Sequence, residues 1–78
     1  MLFGTKSEKI SIQLEQVGKR IRYHRQKRGW TQQILADHSE LTREHISAME
    51  NGRAEPGLRI LVRIAASLDI RLRDLVDP

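Results

Sequence analysis

Residues 31 to 52, TQQILADHSELTREHISAMENG, hold two short helical patterns with only a few residues between them, and this arrangement leaves few folds open. Thr31 is a good N-cap, because its hydroxyl accepts a hydrogen bond from a free N–H of the first turn. Ile34, Leu35 and Ala36 then supply an apolar side. The pattern fails through Asp37, His38, Ser39 and Glu40. After Leu41 a second cap, Thr42, opens a run in which Ile46, Met49 and Glu50 recur at helical spacing. Asn51-Gly52 stops it, since both residues tolerate the left-handed conformation that ends helices. Helices of about two turns are not stable by themselves in water, so other elements must pack on this pair.

Those elements have to come from a small chain. With 78 residues there is room for one domain, and a domain of this size buries only about 60 to 65% of its unfolded surface. There is no cysteine, hence no disulfide and no thiolate metal site. Apolar runs are far short of the roughly 20 residues a membrane span needs, and Met1-Leu2-Phe3-Gly4 is too short for a signal peptide's apolar region, so the expected location is cytoplasmic. Fourteen Lys and Arg against ten Asp and Glu leave a net charge of +4, and the excess is local.

Residues 1 to 11 have few large apolar side chains and no helical period, with Lys6 and Lys9 among them, and read as a flexible arm. Such an arm either frays or reaches into a DNA minor groove. From Ile12 a helical stripe runs through Leu14, Val17, Ile21 and Arg25 and ends near Arg28-Gly29. Trp30 follows and is expected to pack over the start of the next helix. Lys19, Arg20, Arg22, Arg25, Lys27 and Arg28 include no acidic neighbour, which makes either a solvated face or a surface for phosphates, and places Arg20 and Arg28 among the candidate backbone contacts. Arg25 is the odd member, one turn beyond Ile21 on the apolar stripe. Glu50 has the same oddity one turn beyond Ile46, so the two either pair or are solvated separately. After Glu55-Pro56-Gly57, the residues Leu58, Leu61, Ile64, Ala65 and Leu68 restore an apolar stripe. Ile60 and Val62 flank it, and Ile70, Leu72, Leu75 and Val76 suggest a last short helix. Ile60, Val62, Leu72 and Val76 exceed what one core needs and are candidates for a subunit interface.

Two short helices joined by a tight turn describe either an ordinary helical corner or a helix-turn-helix, whose second helix enters the DNA major groove. The strings Thr31-Gln32, Leu35-Ala36, Leu41-Thr42-Arg43, Ile46-Ser47 and Glu50-Asn51-Gly52, with Pro56, Leu61, Ile64-Ala65 and Leu68, resemble the phage Cro/C1-repressor-like (XRE-type) helix-turn-helix family over residues 12 to 76. The resemblance implies an all-α fold, a bundle of about five short helices like the lambda-repressor DNA-binding domain. It implies a tie between Arg25 and Glu50, a DNA-backbone contact for Gln32, which in the family sometimes braces a side chain of the second helix, and further backbone contacts from the Asn51-Gly52-Arg53 loop. One departure is Glu40, where the family usually has glycine before the Leu-Thr of the next helix. If φ is positive there, Glu costs on the order of 1 kcal/mol relative to Gly.

On the second helix Ile46 and Met49 face inward, leaving Thr42, Arg43, Glu44, His45, Ser47 and Ala48 outward or sideways. Arg43 suits guanine O6 and N7, Glu44 accepts from cytosine N4, and Ala48 allows close approach or meets a thymine methyl. Ser47 and His45 complete the base-reading candidates, His45 open between base, phosphate and solvent, while Thr42, Asn51 and Arg53 join the backbone group. His24, His38 and His45 form no metal-ligand spacing, and phosphate loops, dinucleotide motifs and nucleophile elbows are absent, so neither a cofactor nor an enzyme is expected. The leading reading is a sequence-specific DNA-binding regulator, a repressor or autoregulator of transcription, acting as a homodimer on a near-palindromic site of double-stranded DNA. Short chains of the family resemble restriction-modification controllers, while Gly29-Trp30-Thr31-Gln32 is also similar to DNA-binding antitoxins, which would add a toxin protein as partner. The alternative is a protein-interaction module that keeps the fold without binding DNA.

Overall fold

A computed structural model describes residues 5–77, with the side chains at 7 and 10–12 excepted. Among the described residues there are five helices and no strand: α1 Lys6–Lys27, α2 Gln32–Ser39, α3 Arg43–Glu50, α4 Leu58–Ser67 and α5 Arg73–Val76. The first helix starts earlier than the expected boundary at Ile12. Thr5 caps it, its hydroxyl accepting from the Glu8 N–H at 3.2 Å. Thr5-Lys6-Ser7-Glu8 is a Thr-x-x-Glu start signal that weak apolar patterning hides. Most of the expected arm is therefore helical, and residues 1–4 lie outside the described residues.

Helix α1 packs mainly on α3, α2 on α3 and α4, and α5 closes against α1 and α4. At the centre lie Ile21, Leu35, Ala36, Ile46, Met49, Leu61, Ile64, Ala65, Leu68 and Leu75, all buried. Thr31 and Thr42 act as caps, accepting from the N–H groups of Ile34 and His45 at 3.1 Å each. One expected stripe member fails: Leu58 is 67% exposed, because it opens α4 before that helix reaches the core.

The chain reverses after α1, α2, α3 and α4 by one device. In each case a residue with positive φ follows the helix, at Gly29, Glu40, Gly52 and Asp69, and the next N–H reaches back to a carbonyl five residues earlier. Glu40 adopts φ 59° and ψ 41°, the left-handed geometry a Cβ disfavours. Glu40→Gly is accordingly expected to stabilise the fold by about 1 kcal/mol. For a domain of this size that raises the midpoint of a thermal melt by about 4 to 8 °C. An unchanged or lower midpoint would show that the Glu40 side chain offsets the backbone strain.

Candidate nucleic-acid interface

Helix α3 is held from behind and left open in front. Ile46 and Met49 are sealed in the core, while Thr42, Arg43 and Glu44 are exposed and His45, Ser47 and Ala48 are half-buried. Arg43 and Glu44 touch at 3.4 Å through side chains that are 52% and 76% exposed, so this pair is weakly held and both groups are available to a ligand. At the starts of α2 and α3 the first N–H groups have no acceptor inside their helix, and an anion suits both ends.

The holding is done by Glu50. Its carboxylate, fully enclosed, accepts from Arg25 Nε at 2.6 Å and Nη2 at 2.9 Å, from Gln32 Nε2 at 3.1 Å and from Arg22 Nε at 3.2 Å. Arg25 spends its remaining reach on the Trp30 carbonyl at 2.8 Å. No buried side-chain nitrogen or oxygen among the described residues lacks a partner. Burial by itself pushes the Glu50 carboxyl up. The hydrogen bonds from Arg25, Gln32 and Arg22 and the Arg25 charge outweigh burial, so the group is held below the ordinary carboxylate range. The network joins α1, α2 and α3 at one point and fixes the angle at which α3 presents its front.

Close approach makes this possible. A Cβ on Gly18 would fall on the Met49 carbonyl oxygen and lie 2.7 Å from that of Glu50, so α1 and the last turn of α3 touch backbone to backbone. Sequence reading passed over Gly18. Its signal is a lone glycine inside a helical pattern, which costs stability unless packing requires it.

The run of cations from Lys19 to Arg28 does not form the one-sided surface it suggests. At 100° per residue these side chains go right round α1, and most are engaged within the fold. Arg20 Nη1 reaches the Leu75 carbonyl at 3.4 Å, and Arg28 Nε donates to the Leu68 carbonyl at 3.0 Å while its guanidinium lies 4.9 Å from the Trp30 ring centre. Trp30 is stacked in turn on His38, with ring centres 4.4 Å apart. Arg22 and Arg25 serve Glu50, and Lys27 lies 5.8 Å from the Tyr23 ring centre. Arg20 and Arg28 therefore hold the C-terminal ends of α5 and α4, where a free carbonyl attracts a cation.

Two other expected contacts also turn inward. Gln32 begins α2 as expected, and of its two expected roles the structure shows the bracing of a side chain on α3, its amide donating to Glu50. In the loop after α3 the N–H groups of Asn51, Gly52 and Arg53 donate to the carbonyls of Ser47, Met49 and Ala48, so none is open to a phosphate. The Asn51 amide bridges Arg22 and Ser47. Arg53 is exposed, with no side-chain partner among the described residues. The same residues hold no cluster of His, Cys, Asp or Glu able to bind a metal, and no helix is long and apolar enough to cross a membrane.

Known proteins share this arrangement. The chain is 34% identical to the restriction-modification controller protein C.AhdI of Aeromonas hydrophila, with a TM-score of 0.78 over 80% of this chain and 94% of that one. It is 35% identical over 63 residues to y4dL, an uncharacterised HTH-type transcriptional regulator of Sinorhizobium fredii, covering 81% of this chain and 32% of that protein. It is 38% identical over 53 residues to the competence pilus inhibition repressor of Acinetobacter baylyi, covering 68% of this chain and 48% of that one. The match thus spans about a third and about half of these two curated relatives. The helix-turn-helix family model HTH_3 matches residues 21–75, running from the core of α1 through α5, and with caps, turn and α3 where that motif requires them the chain belongs to the helix-turn-helix family.

Proposed function

We propose that this protein binds duplex DNA in a sequence-specific way through α3 and regulates transcription as a homodimer. The observation that carries the reading is the two-sided state of α3: its back is locked by Ile46, Met49 and Glu50, and Arg43 and Glu44 are exposed at its N-terminal front, paired only with each other. Arg43 is a bidentate reader of guanine, Glu44 an acceptor for cytosine N4, and Ala48 a small surface for a thymine methyl. His45 and Ser47 flank them. Thr42 with the open N–H groups beside it, the start of α2 at Gln32, and Arg53 are the backbone contacts.

The test is a titration of labelled duplex DNA at several salt concentrations. Affinity is expected to fall steeply as salt rises, because bound cations displace counterions. Arg53→Ala should lower the slope of log K against log salt by about 1 on every sequence. Arg43→Ala should cost about 1 to 3 kcal/mol on the cognate site and much less on random DNA. Equal losses on both DNAs would move Arg43 to the backbone group. No binding at low salt would favour the protein-interaction module instead.

A single short helix reads too few base pairs to find one site in a genome, and a twofold partner placing a second α3 about 34 Å away supplies the other half-site. Of the four expected interface residues, Ile60 and Leu72 pack against this chain's own core, while Val62 and Val76 remain exposed. Leu58 joins Val62 one turn away on α4, so Leu58, Val62 and Val76 are the interface we propose. Equilibrium sedimentation should show a dimer at micromolar concentration that Leu58→Asp with Val62→Asp dissociates. A wild-type monomer both free and on DNA would remove the dimer.

Between the narrower roles, the likeness to a restriction-modification controller nearly covered by this chain favours that assignment. A DNA-binding antitoxin with a toxin partner is the second reading. Adjacent genes encoding a methyltransferase and nuclease, or a toxin, separate the two.

A further inference from the structure

Arg22 stands where the cationic run of α1 meets the end of α3. Spaced four residues after Gly18 and three before Arg25, it lies on the face that touches α3. Its Nε donates to Glu50 Oε1 at 3.2 Å and its Nη2 to Asn51 Oδ1 at 3.1 Å. The first of these bonds is redundant for charge, since Arg25 already meets the Glu50 carboxylate twice and Gln32 once. The second is not duplicated. It decides which way the Asn51 amide faces: only the oxygen accepts from a guanidinium, so the nitrogen is left to donate, and it does so to the Ser47 carbonyl at 2.8 Å. That carbonyl also accepts the Asn51 backbone N–H at 3.1 Å, so the side-chain amide adds a second bond from Asn51 to the last turn of α3.

We propose that Arg22 is a positioning residue for DNA binding: through Asn51 it fixes the last turn of α3 and the loop that carries Arg53, without touching DNA itself. The inference rests on the DNA-binding reading, yet the clamp has a consequence without DNA. Gly52 and Arg53 donate to Met49 and Ala48, and a released Asn51 lets those bonds open more often. The arrangement also explains why a half-exposed arginine, 40% accessible, lies along the fold and not out in solvent. The close contact at Gly18 brings its guanidinium within reach of both Glu50 and Asn51.

Two measurements decide it, on the full chain, with Arg22→Gln, Arg22→Lys, Asn51→Ala and the double change Arg22→Gln with Asn51→Ala. Hydrogen exchange of the free protein should show the Gly52 and Arg53 amides opening about 10-fold more often in Arg22→Gln, as expected for losing a hydrogen bond to a charged group, with the amides of Leu61 and Ile64 unchanged. Unaltered exchange at Gly52 and Arg53 would overturn the clamp, whatever happens with DNA. In titrations against duplex DNA, Arg22→Gln and Asn51→Ala should each weaken binding by about 10-fold with no change of salt slope, and the double change should weaken it no further. Arg22→Lys, able to make one of the two bonds, should fall between. A salt slope lower by about 1 in Arg22→Gln would make Arg22 a phosphate contact, and losses that simply multiply in the double change would separate it from Asn51; either overturns the proposal. Wild-type protein that fails to bind any DNA at low salt, while its Arg22→Gln variant shows the exchange change, would remove the DNA-binding reading and with it the role proposed for Arg22.

Discussion

Glu50→Ala is expected to lower the stability of the fold by about 3 to 5 kcal/mol, the usual consequence of stranding a buried charge. Arg25 is 8% exposed and would keep only the Trp30 carbonyl as acceptor. For a chain of this length total stability is on the order of 4 to 12 kcal/mol, so the loss removes a quarter of it or more, and urea melts at low temperature are the measurement. Arg25→Met together with Glu50→Ala should recover much of the loss, because an apolar stem replaces a charge that no longer has a partner. Losses that simply add in the double variant would show that the two residues act independently. The acid limb carries a second signature. Glu50 has a lowered pKa in the folded chain, so its contribution is complete above the ordinary carboxylate range and is lost as pH falls through the folded-state value. Glu50→Gln should accordingly be less stable than the wild type at neutral pH and lose less on acidification.

Gly18→Ala is the second large effect, and its sign opposes helix propensity. In an isolated helix the change would stabilise by about 0.5 to 1 kcal/mol. Here the added methyl meets the carbonyl oxygens of Met49 and Glu50, groups that cannot swing aside as a side-chain tip would. Forcing extra volume into such a contact costs about 1 to 3 kcal/mol or more, and the backbone of α3 has to move to relieve it. The expected result is a clear loss of stability together with weaker DNA binding even under conditions where the variant is fully folded, since α3 then leaves its angle. A melt at or above that of the wild type would refute the close contact. Gly57→Ala is a suitable control, because nothing lies near the position its Cβ would take.

What the sequence determined is what each helix decides locally. Thr31 and Thr42 cap because a threonine hydroxyl reaches a first-turn N–H three residues on, and Ile46 and Met49 point inward because a 3.6-residue period fixes directions along one helix. The meeting of Arg25 and Glu50 was legible for a related reason. Each is a charge on an apolar stripe, tolerable there only with an opposite charge, and the resemblance named the same two positions.

Only the tertiary structure decided where the other polar groups go. The carbonyls that take Arg20 and Arg28 lie 55 and 40 residues further along the chain, so nothing beside those arginines in sequence announces them. For that reason a run of cations that reads as one patch is divided among separate tasks on different sides of α1, with Lys19, Lys27 and Arg28 still exposed. For Gln32 the resemblance left two roles open, and the buried Glu50 carboxylate decides for bracing α3, while the loop amides after α3 are consumed by its helix-end carbonyls. Leu58 leaves the core for an equally non-local reason: periodicity gives the side of α4 on which it lies, but only the place where that helix meets α2 says which of its turns is covered.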